Sequence, residues 1–284
     1  MVHKYLALLF LISFQSCGMC SSREGNTSFA QDDKSEIEIN GGDREHWSNI
    51  SDVGYPIVAD SIPSIILERY CYSVSYNPNT RQPNWVMWQL TDEHVTKRDN
   101  SVWNEYREDL DLPSDIRSTL LDYANSGYDR GHMCPGGDCN WDENGRDETF
   151  LLSNMCPQNP LLNRGDWKEI EIACRKWAKD FGSIFIVTGP IFFKSQNHET
   201  IGPNHIPVPE AFFKVIICTD KSHPKGIGFI CRNTEGNRKK DFYVNSIRQV
   251  ERVTGHKFFP LLESSIKSAT FDIDDIYVWN SNND

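Results

Sequence analysis

The sequence lacks the surplus of positive charge carried by proteins that coat nucleic acid through bulk electrostatics. It has 29 Lys and Arg against 40 Asp and Glu, a formal net charge of −11 at pH 7, so release of many counterions cannot drive binding to a polyanion. That excludes a coating protein but not an enzyme. A divalent cation and a few arginines make a local positive site on an acidic body. Beyond residue 16 no apolar run is long enough to cross a bilayer as a helix. No Cys-x-x-Cys pair recurs, which disfavours a structural zinc site. The sequence has no internal repeats or low-complexity tracts, and beyond residue 60 no charge runs or Pro/Gly-rich linkers. A 284-residue chain without such a break is expected to fold as one large domain.

What is present begins with a leader. A basic start, Met1-Val2-His3-Lys4, precedes an apolar run over residues 5–14, and the pattern predicts a signal peptide over 1–16 and export of the protein. The run ends in Gln15-Ser16-Cys17, which resembles the bacterial lipoprotein signal, whose cysteine becomes the lipidated first residue. Secretion by plain cleavage and envelope attachment through a lipidated Cys17 are both open at this stage. Residues 17–50 are rich in Ser, Asn, Gly, Asp and Glu and read as a flexible tether, leaving 51–284 as the folded domain. Nine cysteines in an exported chain suggest at least one disulfide, and lipidation at Cys17 would leave an even eight. Their pairing is not legible. Cys218 and Cys231 lie in two apolar runs, 212–219 and 226–232, that look like a hairpin, and Cys134 and Cys139 share one loop.

Alternation of Tyr70, Tyr72, Val74 and Tyr76 predicts a strand, Asn77-Pro78-Asn79-Thr80 a turn, and 85–90 the returning strand. A helix is expected from Pro113-Ser114-Asp115, capped by Ser114, with Ile116, Leu120, Tyr123 and Ala124 on one face and Gly127 as its stop. Residues 128–132 read as a short strand. After Asn163, the spacing of Trp167, Ile170, Cys174, Trp177 and Phe181 predicts a helix with one buried stripe, ended by Gly182 before a strand over 184–188. A last helix is expected over 246–254, closed by Gly255. Hairpins mixed with helices, without βαβα alternation, imply an α+β fold with a mainly antiparallel sheet flanked by helices.

The chemistry gathers in two stretches. One is Tyr128-Asp129-Arg130-Gly131-His132-Met133-Cys134-Pro135-Gly136-Gly137; the other runs from Phe150-Leu151-Leu152-Ser153-Asn154-Met155-Cys156-Pro157-Gln158 through Asn163-Arg164-Gly165-Asp166-Trp167 to Glu171. An imidazole two residues after a guanidinium, with glycine between, lets backbone and side chains crowd close to an anion. Together the stretches resemble the DNA/RNA non-specific endonucleases, a ββα-metal (His-Me finger) nuclease group that includes endonuclease G. The resemblance runs from about Arg69 to Leu262.

It implies a magnesium-dependent endonuclease, with manganese as an alternative ion, that hydrolyses phosphodiester bonds of both DNA and RNA with little sequence preference. By the same resemblance His132 is the general base, Asn163 the metal ligand, and Glu171 a support for the metal's water shell. Arg130 would hold a phosphate or orient the site, and Arg98 would meet transition-state charge. Residue chemistry agrees: an imidazole with an ordinary pKa of about 6.5 accepts a proton near neutral pH. Magnesium dehydrates reluctantly and takes few protein ligands. Asn163 could instead cap the helix expected to begin there, with Glu171 eight residues along it, about 80° round and about 12 Å up. Asp129 reads as fixing the loop, while Asn154 and Gln158 belong to the matched stretch without a chemical role of their own. The rival readings are another phosphodiesterase on the same ββα unit, and an inactive envelope lipoprotein that binds nucleic acid.

Overall fold

The computed structural model describes residues 50–97, 105–193, 197–234 and 236–280. In chain order the strands are β1 (Ile65–Glu68), β2 (Ser73–Asn77), β3 (Gln82–Thr91), β4 (Asp129–His132), β5 (Met155–Gln158), β6 (Ser183–Ile191), β7 (Thr200–Ile201), β8 (Ile206–Pro207), β9 (Ala211–Cys218), β10 (Lys225–Arg232) and β11 (Val244–Asn245). The helices are α1 (Ile50–Val53), α2 (Asp92–Thr96), α3 (Leu120–Tyr123), α4 (Glu143–Glu148), α5 (Pro160–Arg164), α6 (Asp166–Phe181), α7 (Ile247–Thr254) and α8 (Ser264–Thr270). Seven strands form one sheet in the order β1-β2-β3-β6-β9-β10-β11, with every neighbouring pair antiparallel. Strands β4 and β5 pair separately, with His132 opposite Met155, and lead into α5 and α6. The fold is α+β, with a ββα unit set beside the large antiparallel sheet.

Both faces of that sheet are covered, so its central strands are apolar at consecutive positions. Trp88, Ile186, Phe212 and Ile216 pack on one side with Trp167, Ile170, Cys174 and Trp177 of α6. Their neighbours Met87, Val187, Phe213 and Ile217 pack on the other side with Ile247, Val250 and Ile266 of α7 and α8. The buried stripe of α6 thus does what its spacing predicts, and it anchors the helix whose first turns border the ββα unit. Helix α7 is capped by Ser246, whose hydroxyl accepts from the Gln249 N–H, and ends at Gly255 with φ 75°. The first hairpin forms as β2 and β3.

The helix expected from Pro113 does not form. Only one turn, Leu120–Tyr123, is helical, and Leu121 is exposed. The carbonyls a longer helix would use are taken by tertiary partners. Arg81 donates to the carbonyls of Arg117 and Asp115, and the Tyr76 hydroxyl to that of Ile116. The Asp122 carboxylate, accepting from the Thr119 N–H at 2.7 Å, starts the short turn instead.

Cys71 and Cys139 form a disulfide, a pairing that joins residues 68 apart in sequence. Cys218 and Cys231 do sit on one hairpin, β9–β10, but at its opposite ends: Cys218 faces Lys225 and Cys231 faces Phe212. Both are free, and so is Cys134, whose Sγ lies 3.6 Å from that of Cys139. Denatured protein should therefore show at least two fewer thiols before reduction than after it. Replacing Cys71 and Cys139 by serine should cost roughly 4 kcal/mol by the chain-entropy relation for such a loop, read as a lower midpoint in denaturant.

His256 gives the fold a pH dependence. It is 5% exposed, edge-on to Phe213 and Phe258, and burial pushes its pKa down to about 4. The unfolded chain takes a proton on this ring as pH falls below about 6.5, and the folded chain does not until about 4. Stability present above 6.5 is therefore lost across that window, by about 3 kcal/mol in all. Urea unfolding at about pH 7 and pH 4.5 should show this loss in the parent and a clearly smaller one in His256→Gln.

Candidate active site

Strand β4 places Arg130 and His132 two residues apart on one face of the β4–β5 pair. Gly131 between them is required by packing: a Cβ there would lie 2.3 Å from Oε1 of the buried Gln158 on β5. Asn154 ties the chain just after His132 in place. Its buried amide accepts from the Cys134 N–H (2.9 Å) and donates to the carbonyls of Cys134 (2.8 Å) and Thr149 (2.9 Å). Both matched residues therefore hold the site from behind.

Asn163 lies in the last turn of α5, a helix capped by Asn159 with Pro160 at its first position. A break at Gly165 separates it from α6, so Asn163 caps neither helix, and the offset expected between Asn163 and Glu171 along one continuous helix does not apply. A Cβ at Gly165 would lie 2.5 Å from the Leu161 carbonyl, which is why glycine makes the break. The Asn163 side chain donates Nδ2–H to Asp129 at 2.9 Å. With its nitrogen committed, the amide leaves its oxygen, the atom with lone pairs, as the donor available to a cation. Asp129 also accepts from Arg164 Nε at 2.8 Å and Nη2 at 2.6 Å, so it fixes α5 against β4.

His132, Asn163 and Glu171 line one cleft of about 420 Å³. Arg146, Arg164, Lys168 and Arg175 line it too, four cationic side chains against the single carboxylate of Glu171. Arg164 is paired with Asp129 and Arg175 with Asp138, so the local surplus of positive charge rests on Arg146 and Lys168. The His132 ring packs edge-on against Phe150 (4.9 Å between centroids) and tilted against Tyr106 (5.6 Å), and its buried Nε2 has no hydrogen-bond partner among the described residues. Burial lowers its pKa to about 4, so the ring is neutral at pH 7 and able to accept a proton. Glu171 is half-buried, and loss of solvent raises its carboxyl to about 7, opposed by the positive charge of Lys214. Lys214 is wholly buried in β9, its Nζ 4.5 Å from the Trp167 ring centroid and 5.2 Å from that of Trp88.

Arg130 does not line this cleft. Its guanidinium stacks 4.3 Å above the Tyr106 ring and faces a neighbouring depression. Arg98 lies outside the described residues, as do the leader, Cys17 and most of the expected tether.

Residues 52–265 match the family described as DNA/RNA non-specific endonuclease. The chain belongs to this family. Nuclease C1 of Cunninghamella echinulata var. echinulata is 35% identical over 212 residues, spanning 70% of this chain and 84% of that protein. Human mitochondrial endonuclease G is 34% identical over 157 residues, 52% of this chain and 53% of its own length, so the match spans about half of the human protein. A crystal structure described as the EndoG/EndoGI complex, bearing on the mechanism of EndoG inhibition, superposes with a TM-score of 0.66 at 29% identity, covering 71% of this chain and 89% of that one. Membership places this endonuclease-family chain among hydrolases and accounts for its ββα unit.

Sequence reasoning missed the cationic wall of the cleft and what stands behind it. Arg175 was findable, one helical turn after Glu171 on the same face. Its Nη1 donates to Asp138 at 2.7 Å, and Gly137 lets it pass, since a Cβ there would lie 3.3 Å from that nitrogen. Two acids of the 138–143 loop have structural partners: buried Asp138 also accepts from Trp88 Nε1 at 3.1 Å, and Asp142 caps α4. Lys214 had no sequence signal, being one polar residue inside an apolar strand.

Proposed function

We propose that this chain is a magnesium-dependent endonuclease that cleaves phosphodiester bonds in DNA and RNA with little sequence preference, with manganese as an alternative ion. The observation that carries the reading is one cleft lined by a neutral His132, Glu171 and an Asn163 whose amide is turned by Asp129. The donor set fits a hard divalent ion: a neutral amide oxygen, with Glu171 on the same wall to accept from hydrating water. Such an ion, when bound, supplies charge that offsets the phosphate oxygens. His132 takes the proton of the attacking water at its ring nitrogen, and Phe150 and Tyr106 hold the ring's plane. Arg146, Arg164, Lys168 and Arg175 draw the phosphate in and meet the charge that builds on its oxygens. These side chains meet phosphate and not base edges, hence the weak sequence preference.

The test is purified domain with circular DNA and with RNA, with and without magnesium. Circular substrates should be linearised and degraded only when the metal is present. Intact DNA and RNA alongside hydrolysis of small diesters would favour the rival phosphodiesterase reading.

Export is part of the same proposal, and lipid on Cys17 is its sharper form. The apolar run over 5–14 ending at Ser16-Cys17 supports it, and the Cys71–Cys139 disulfide suits an oxidising compartment. Mass spectrometry of the native N-terminus should find a lipidated Cys17; a chain beginning elsewhere without lipid refutes the attachment and leaves the nuclease reading intact.

A further inference from the structure

Three cysteine sulfurs meet behind the loop that follows β4. Cys71 and Cys139 are bonded, and the free Sγ of Cys134 lies 3.6 Å from that of Cys139. The loop itself builds this contact: the Asp138 N–H donates to the Pro135 carbonyl at 2.9 Å, a turn that brings residues 134 and 139 together. Disulfides exchange when a thiolate attacks one of their sulfurs, and closing 3.6 Å to a bond of about 2.05 Å needs a movement of about 1.5 Å. The Cys71 sulfur already lies 3.5 Å from the Gly145 carbonyl, an acceptor for its thiol proton once it is released. Cys134 also stands two residues past His132, and its N–H and carbonyl are both bonded to the Asn154 amide. A shift of this cysteine is therefore felt where the base is held.

We propose that Cys139 is shared between two pairings, with Cys71 or with Cys134, and that exchange between them is a switch on the loop behind His132. In the exchange Cys134 gives its thiol proton to solvent, and its sulfur electron pair forms the bond to Cys139. The electron pair of the broken Cys71–Cys139 bond leaves on Cys71, which takes a proton from water. One disulfide and one thiol stand on each side, so neither oxidant nor reductant is consumed. A link between residues 68 apart is replaced by a small ring over 134–139, which frees the chain before β2 from the site loop. Burial pushes the Cys134 thiol well up; Asp138 adds to the rise, Lys214 of β9 opposes it and Glu171 of α6 adds to it, while Tyr72, also raised by burial, faces it uncharged. The attacking thiolate is thus scarce near neutral pH, and the Cys71 pairing persists there.

The test incubates the folded full chain at about pH 8 and about pH 9 without oxidant or reductant, blocks free thiols with a maleimide in acidic denaturant, and maps the pairs by mass spectrometry. A Cys134–Cys139 bond with blocked Cys71 should appear, about tenfold faster at the higher pH, because the rate follows the thiolate fraction. The thiol count should stay constant, and the free, buried Cys156, Cys174, Cys218 and Cys231 should stay unpaired. Cys134→Ser should keep only the Cys71–Cys139 bond and parental turnover. Cys71→Ser, oxidised with glutathione disulfide, should form Cys134–Cys139 and lose about tenfold in kcat on circular DNA, as expected of a displaced base, with recovery on reduction. If the parent shows only Cys71–Cys139 at both pH values and oxidised Cys71→Ser keeps Cys134 and Cys139 unbonded, the exchange is wrong. Bonds to the other four cysteines would mean scrambling through unfolding and overturn it equally. Full turnover by Cys71→Ser carrying the Cys134–Cys139 bond would overturn the switch. The turnover arm rests on the nuclease reading and the pairing map does not, so a parent that spares DNA refutes that reading while the map still decides the exchange.

Discussion

Replacing His132 by alanine should lower turnover on DNA and RNA by about two to four orders of magnitude, the usual contribution of a positioned general base. Substrate binding should persist, because the cationic wall of Arg146, Arg164, Lys168 and Arg175 is untouched. Folding should persist as well: the substitution removes packing against Phe150 and Tyr106, while Asn154 still holds the backbone after β4. Added imidazole should restore part of the activity, which a merely structural histidine would not allow. The parent's pH profile carries a second signature. Burial lowers the His132 pKa to about 4, so the ring is unprotonated throughout the neutral range, and the acid limb it controls should fall well below the 6.5 of an exposed histidine. A gel assay with circular dichroism decides the matter. Parental cleavage by a folded His132→Ala variant would mean that another group takes the proton.

Asn163→Ala should reduce activity about a hundredfold or more and demand far more magnesium, since a direct ligand to the ion supplies part of the charge stabilisation that lowers the barrier. Chelator should abolish cleavage in the parent, and added magnesium should restore it. Asn163→Asp separates ligation from geometry. The carboxylate could still bind the ion, but it cannot donate to Asp129, and it sets a like charge against that residue at the 2.9 Å contact the amide now makes. Its activity should fall between parent and alanine variant, with α5 loosened. Titration of activity against magnesium reads all three proteins. If Asn163→Ala keeps parental activity and metal requirement, the ligand lies elsewhere, and Asp138 and Asp142 are poor replacements because their carboxylates already serve Arg175 and the start of α4.

The sequence by itself determined the elements whose cause is local. The stripe of Trp167, Ile170, Cys174 and Trp177 makes α6, Ser246 and Gly255 bound α7, and the turn after Asn77 closes β2 on β3, because side-chain period and capping act within a few residues. It also determined the chemistry on offer, since the stretch from Asp129 to Gly137 and the one ending at Glu171 bring an imidazole, an amide and a carboxylate in a recognisable order. Tertiary structure alone decided what depends on partners far along the chain. Side chains from the first hairpin took the carbonyls of residues 115–117 and prevented a helix there. Cys71 met Cys139, Asp129 turned the Asn163 amide, and Gln158 packed over Gly131. Arg130 and His132, neighbours in sequence, were divided between two clefts by the ridge of α5, and Lys214 was buried beneath Glu171 by a strand that is otherwise apolar. Each of these rests on contacts between segments whose separation in sequence carries no period, so only the closed sheet and the packing of α5 and α6 against it could set them.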